Sequence, residues 1–326
     1  MESKERKGMR ERIRGVAVIV FVSLVFCCCC LLESSAGTRS NLDGKTVRWV
    51  TPAVRVSQLH HRLFYSESAK ADVSYHIYIP EIYHSEPQRR FPVIYWLHGH
   101  GGGLPGLSHL VKYFDAAIRK GNMPPVLIVF PNGMKESMWC NSKDGKIPIE
   151  SVMINDLLPH VDKTWRTISS REGRLIEGFS MGGYGAARLS FKYPYMFSGV
   201  SILGGGPLQQ EFTEFIGPRK SAKARKRVMR IVYGDDQAYF KSQSPYVLAA
   251  QNADVLRDSI RVRLLIGAQD DVLKYNREFD AHLTSLNISH VFRVLSDVDH
   301  DTMKLLHALG ESNWKFYREM FGAFDL

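Results

Sequence analysis

Residues 174–192 read RLIEGFSMGGYGAARLSFK. Arg174 to Gly178 has the apolar character of a short strand, Gly182 to Lys192 that of a helix closed by Pro194, and Gly178-Phe179-Ser180-Met181-Gly182 joins them as G-x-S-x-G. A strand-to-helix turn this tight has no room for side chains at its flanking positions, so glycine stands there. The turn lifts the Ser180 hydroxyl to its tip. The first amides of the following helix point at the same place and favour a developing anion.

The surrounding sequence repeats the strand–helix pattern. Phe91 to Leu97 (FPVIYWL) is a continuous apolar run, as a strand buried on both faces requires, and Val126 to Phe130 is another, ended by Pro131-Asn132-Gly133. Leu107 to Lys120 and Ile149 to Trp165 carry apolar residues at helical intervals. Phe197 to Leu203, Val262 to Ile266 and His290 to Leu295 read as further strands, with Val272 to Leu286 and Asp301 to Phe321 as helices. Val47 to Ile79 holds three extended β-branched or aromatic runs, expected as antiparallel strands at a sheet edge. Alternating β and α predicts an α/β fold, a mostly parallel central sheet with helices on both faces.

The 326 residues, 44% hydrophobic and 23% charged, exclude disorder, collagen and coiled coil as the main architecture. At this length roughly 75% of the unfolded surface can be buried, so one domain over residues 37–326 needs no staples. Residues 1–36 are set apart. Met1 to Arg14 carries six Lys or Arg against three Glu, Gly15 to Leu32 is apolar except for Ser23, and small polar residues follow to Ala36 and Gly37. That is a secretory signal or an uncleaved membrane anchor, and either places the rest of the chain outside the cytoplasm, secreted or periplasmic. Four of the five cysteines, 27–30, lie in this leader, which leaves Cys140 unable to form an internal disulfide.

A serine nucleophile needs a base and a group that orients the base, in the chain order Ser, acid, His for this topology. Asp270 and Asp271 follow the strand at 262–266; Asp270 is preferred, with Asp271 as the alternative. His300 lies five residues past Leu295 at the end of the last strand, whereas His290 and His307 fit structural positions. An oxyanion hole takes one amide from Met181, next to the nucleophile, and a second from the glycine-rich loop Leu97-His98-Gly99-His100-Gly101-Gly102-Gly103. That loop matches neither phosphate-binding glycine pattern, and His98 and His100 lack further residues at metal-ligand spacing. No metal and no cofactor is called for.

WLHGHGGG, GFSMGGYGA, GAQDD and DVDHD, in this order, resemble the esterase D-like group of the α/β-hydrolase superfamily. That group is similar to S-formylglutathione hydrolases, feruloyl and acetylxylan esterases, and mycolyltransferases. The resemblance spans roughly Val73 to Phe321. It implies the α/β-hydrolase fold and a carboxylic ester hydrolase with Ser180 as nucleophile, Asp270 as acid and His300 as base. Met181 and His100 would supply the oxyanion amides. Where family members often carry Trp two residues after the histidine, this chain has Thr302. Acyl transfer and thioester hydrolysis would use the same residues, and a non-catalytic binder on the same fold would not keep all three.

The net charge of +10 raises the question of polyanionic partners. Arg219 to Arg230 (RKSAKARKRVMR) holds seven basic residues without an aromatic, which does not fit nucleic-acid binding. It is either a solvated surface or a docking patch for an anionic polymer or membrane surface beside a small-molecule or polysaccharide ester. Trp139 and Asn141 follow the strand at 126–130, at the sheet end where α/β proteins bind ligands, and are the candidate substrate contacts.

Overall fold

The apolar run at 93–97 divides between two cores. Val93, Tyr95 and Leu97 face one hydrophobic layer, and Ile94 and Trp96 face the other. With both faces covered, no position is left for a polar side chain, which is why the sequence there shows no alternation. The computed structural model describes residues 47–212 and 222–324. The leader expected at residues 1–36 lies outside these, as do Arg219, Lys220 and Ser221 of the basic run.

Eight strands form one sheet: β1 (Leu59–Ser66), β2 (Ala71–Tyr78), β3 (Val93–Leu97), β4 (Leu127–Pro131), β5 (Arg174–Phe179), β6 (Gly199–Leu203), β7 (Arg261–Gly267) and β8 (His290–Leu295), in the order β1-β2-β4-β3-β5-β6-β7-β8. β1 and β2 pair antiparallel, as do β2 and β4, and every pairing from β4 to β8 is parallel. Among the described residues the α-helices longer than one turn are α1 (Leu107–Arg119), α2 (Leu158–Thr164), α3 (Met181–Lys192), α4 (Ala222–Tyr233), α5 (Gln237–Ser242), α6 (Pro245–Gln251), α7 (Ala253–Ser259), α8 (Leu273–Ser285), α9 (Thr302–Leu309) and α10 (Glu311–Phe321). α1, α9 and α10 cover one face through Phe114, Leu305 and Phe316; α2, α3 and α8 cover the other through Val161, Tyr184 and Phe279. This is the mostly parallel α/β-hydrolase architecture with antiparallel strands at its N-terminal edge.

The strand order sets the position of the site. The chain adds β4 on one side of β3, then crosses back and adds β5 on the other. At such a switch point, neighbouring loops leave the carboxyl edge in opposite directions and open a crevice. Leu97 at the end of β3 pairs with Gly178 of β5, so the glycine-rich loop and the serine turn emerge side by side.

Three sequence expectations change. Only two strands form in 47–79, because residues 47–56 use side chains in place of a ladder: the Thr51 amide donates to Ser74 Oγ and the Val54 amide to His76 Nε2. The segment at 301–321 is two helices, separated at Gly310, whose φ of 51° an α-helix cannot contain. The segment at 149–164 is helical but passes through a π-type stretch at Val152–Leu157. One buried charge cluster also appears: Glu177 of β5 meets Arg263 of β7 at 2.8 Å and accepts from Tyr317 at 2.8 Å.

Candidate active site

Ser180 sits at φ 59° and ψ −120°, a conformation that costs a non-glycine residue on the order of 1–3 kcal/mol and persists only when its surroundings enforce it. They do. Its amide donates to Leu203 O at 2.9 Å, and its carbonyl accepts from Tyr184 at 3.0 Å and Gly206 at 3.1 Å. A Cβ on Gly182 would lie 1.9 Å from Leu97 O, so the following helix can approach β3 only because that position is glycine.

The two residues expected after β7 and β8 meet at this serine. His300 Nε2 is 2.9 Å from Ser180 Oγ, and His300 Nδ1 is 2.7 Å from Asp270 Oδ2. The other Asp270 oxygen accepts from the Val272 amide at 3.0 Å, and the carboxylate is fully buried. A carboxylate can only accept, so the imidazole proton resides on Nδ1 and Nε2 keeps a lone pair for the serine hydroxyl. Phe179 packs on the imidazole with ring centres 4.7 Å apart. His300 meets Asp270, not Asp271, and His290 is taken up by Asp280 at 2.8 Å.

The glycine-rich loop runs against the serine. A Cβ on Gly99 would lie 3.3 Å from Ser180 Cβ and from Phe179 O, so the loop backbone runs in close contact with the serine turn. Met181 opens α3, and its amide belongs to the first turn, which has no acceptor within the helix. The His100 side chain stands 3.4 Å from Glu136, whose second oxygen is 3.1 Å from Arg227. The Gly101 amide donates to Lys135 O at 2.9 Å, so residues 133–136 brace the loop from outside.

The side chains of the two expected substrate contacts are already engaged within the protein. Trp139 is 1% exposed, and its indole fills a slot beside Gly185 of α3, where a Cβ would lie 2.4 Å from the ring. No ring face is left for a ligand. Both ends of the Asn141 amide are engaged by Ser151, at 2.9 Å and 3.1 Å. Cys140 is buried, which pushes its thiol pKa up and makes it a poor nucleophile. The basic run is partly turned inward. Arg225 is buried, donates to Gln209 at 2.7 Å and stacks over Phe212, and Arg227 pairs with Glu136.

A cleft of about 1050 Å³ opens beside the loop, lined among others by Met134, Glu136, Arg227 and Ile231. A cavity of about 80 Å³ reaches His98, Gly99 and Phe179. Ser180 lines neither, but Gly102, Gly103, Leu104 and Pro105 line both and connect the cleft to the backbone that touches the serine.

The family model described as "Putative esterase" matches residues 66–317. An endo-1,4-beta-xylanase/feruloyl esterase of Xylanibacter ruminicola is 29% identical over 158 residues, 45% of this chain and 22% of that protein. An esterase of Mycobacterium tuberculosis is 27% identical over 273 residues, 76% of this chain and 57% of that protein. The chain thus spans well under two thirds of either relative. A solved ferulic acid esterase superposes with a TM-score of 0.67 at 21% identity, covering 81% of this chain and 97% of its own, which shows the shared fold.

Proposed function

Because the chain belongs to this esterase family, whose model covers residues 66–317, we propose that it hydrolyses carboxylic esters through an acyl-enzyme on Ser180. The observation that carries the reading is the continuous chain from Ser180 Oγ to His300 at 2.9 Å and on to Asp270 at 2.7 Å, built on a strained turn. His300, neutral, takes the hydroxyl proton as Oγ attacks the ester carbonyl. Asp270 holds the imidazole in the required tautomer and stabilises the imidazolium. The amides of Met181 and His100 receive the negative charge of the tetrahedral intermediate; losing one such donor typically costs about 3 kcal/mol of barrier. His300 then protonates the leaving alcohol, and water enters by the same base to release the acid.

The substrate we propose is an acetyl or feruloyl ester of a polysaccharide met outside the cytoplasm. The relatives named feruloyl and ferulic acid esterase favour that class, and the basic and apolar segments at residues 1–32 favour export. Lys223, Lys226 and Arg230, on the exposed side of α4, favour a polymer with anionic groups. The test is a panel of acetyl, butyryl, feruloyl and thioester substrates with wild type and Ser180→Ala. Release of alcohol by wild type alone, highest for acetyl or feruloyl oxygen esters, is expected. Equal release by Ser180→Ala would overturn the mechanism, and a preference for thioesters would overturn the substrate class.

A further inference from the structure

We infer that His98 is the positioning residue of the second oxyanion donor: its imidazole fixes the direction in which the His100 amide points. The inference rests on the hydrolase reading above. His98 is buried, 8% exposed, and both of its ring nitrogens are engaged. Nε2 faces the Gly133 amide at 3.0 Å, and an amide can only donate, so Nε2 carries a lone pair. Nδ1 faces the Gly99 carbonyl at 2.8 Å, and a carbonyl can only accept, so Nδ1 carries the proton. Both partners demand the same neutral tautomer. Burial lowers the imidazole pKa to about 4, which agrees with it.

The consequence follows from the peptide bond. Gly99 O and the His100 N–H belong to one planar trans unit and point in opposite directions. Holding Gly99 O on the imidazole therefore turns the His100 N–H away from His98, on a peptide whose Gly99 sits 3.3 Å from Ser180 Cβ by its would-be Cβ. Without that bond, glycine on both sides of His100 would let the peptide rotate. His98 is itself fixed by its neighbours. Trp139 Nε1 donates to His98 O at 3.2 Å, and the two rings pack with centres 5.0 Å apart. Arg188 of α3 donates to Trp139 O at 3.0 Å. The serine helix and the oxyanion loop are thus tied through one buried residue, Trp139, by its carbonyl on one side and its indole on the other.

Asparagine and glutamine at position 98 separate this role from a structural one. The Asn amide reaches the place of Nδ1 and can donate to Gly99 O, whereas the Gln amide reaches the place of Nε2 and can only serve Gly133. Each variant loses one hydrogen bond, so both should melt at similar temperatures. His98→Gln should lose about 10- to 100-fold in kcat, with KM within about threefold, because a misdirected donor approaches a missing one. His98→Asn should stay within about fivefold of wild type on the same grounds. An arylboronic acid, whose tetrahedral serine adduct carries the oxyanion, should bind His98→Gln more weakly by the factor by which kcat/KM falls. Wild-type kcat in folded His98→Gln would overturn the inference, as would equal losses in both variants. If His98→Gln does not fold, Trp139→Phe, which removes the indole N–H that donates to His98 O together with part of the ring, should lower kcat about three- to tenfold, and an unchanged kcat there would overturn it. Wild-type protein that releases no alcohol and binds no boronate would overturn the hydrolase reading and this inference together.

Discussion

Replacing Asp270 by asparagine sets two hydrogen bonds against each other. In the native site one carboxylate oxygen accepts from His300 Nδ1 at 2.7 Å and the other from the Val272 amide at 3.0 Å. An Asn side chain has a single oxygen. If that oxygen stays with Val272, the NH₂ group faces Nδ1, and the imidazole must move its proton to Nε2. His300 then donates to Ser180 Oγ across the 2.9 Å gap and has no lone pair with which to accept the hydroxyl proton. If the amide flips, the NH₂ group meets the Val272 N–H, and a fully buried donor is left unsatisfied at a cost of about 1–3 kcal/mol. The first arrangement is favoured, so kcat should fall by about 10³–10⁴, the loss seen when a triad histidine is held in the wrong tautomer. That corresponds to about 4–5.5 kcal/mol of barrier. The assay is steady-state release of p-nitrophenol from its acetate, with a thermal melt to show that the variant is folded. Asp271→Asn, at the position that His300 does not contact, is the control and should stay near wild type. A folded Asp270→Asn within tenfold of wild type would refute the reasoning.

Other expectations concern stability. Arg188 and Glu150 form a buried ion pair under α3; burial, the largest single influence, acts to raise the Glu150 pKa, but Arg188, Lys192 and Tyr193 together outweigh it and hold the carboxyl at about 2. Arg188→Leu should therefore cost about 3 kcal/mol in urea unfolding, the lower end for a broken buried pair because Lys192 and Tyr193 still reach Glu150; a loss under 1 kcal/mol would show that the pair is not under strain from burial. Burial holds the pKa of His98 and of His76 down to about 4, so between pH 6.5 and 4 the unfolded chain binds more protons than the folded one. Stability present above about pH 6.5 should be lost progressively towards about pH 4, on the order of 3 kcal/mol for each histidine, and His98→Gln should flatten the slope of melting temperature against pH over that window. Trp139→Ala should cost about 3–5 kcal/mol through the cavity it leaves, a loss that calorimetry would register and that substrate-level ligand would not restore.

Much of the fold was legible because parallel strands buried on both faces must be apolar throughout, as 93–97 and 127–131 are. The convergence of Ser180, Asp270 and His300 is legible because each follows a strand end, and all such ends lie on one edge of a parallel sheet. What was hidden depends on long-range contacts. Trp139 looked like a ligand contact from its place after β4, but its slot is made by Gly185, on a helix 46 residues away. His98 gave no sign of a role beyond a weak metal pattern, since its acceptor bond comes from Gly133, 35 residues on. The basic run reads as uniformly solvated until Gln209 and Phe212 are seen to receive Arg225. The break at Gly310 was masked by apolar spacing that continues in phase on either side of it.

The nucleophile is tested most directly by intact-protein and peptide mass spectrometry after reaction with a fluorophosphonate. One adduct per chain is expected, on the peptide containing Ser180, with none in Ser180→Ala. An adduct elsewhere, or ester hydrolysis retained by Ser180→Ala, would contradict the assignment of this hydroxyl as the group that attacks.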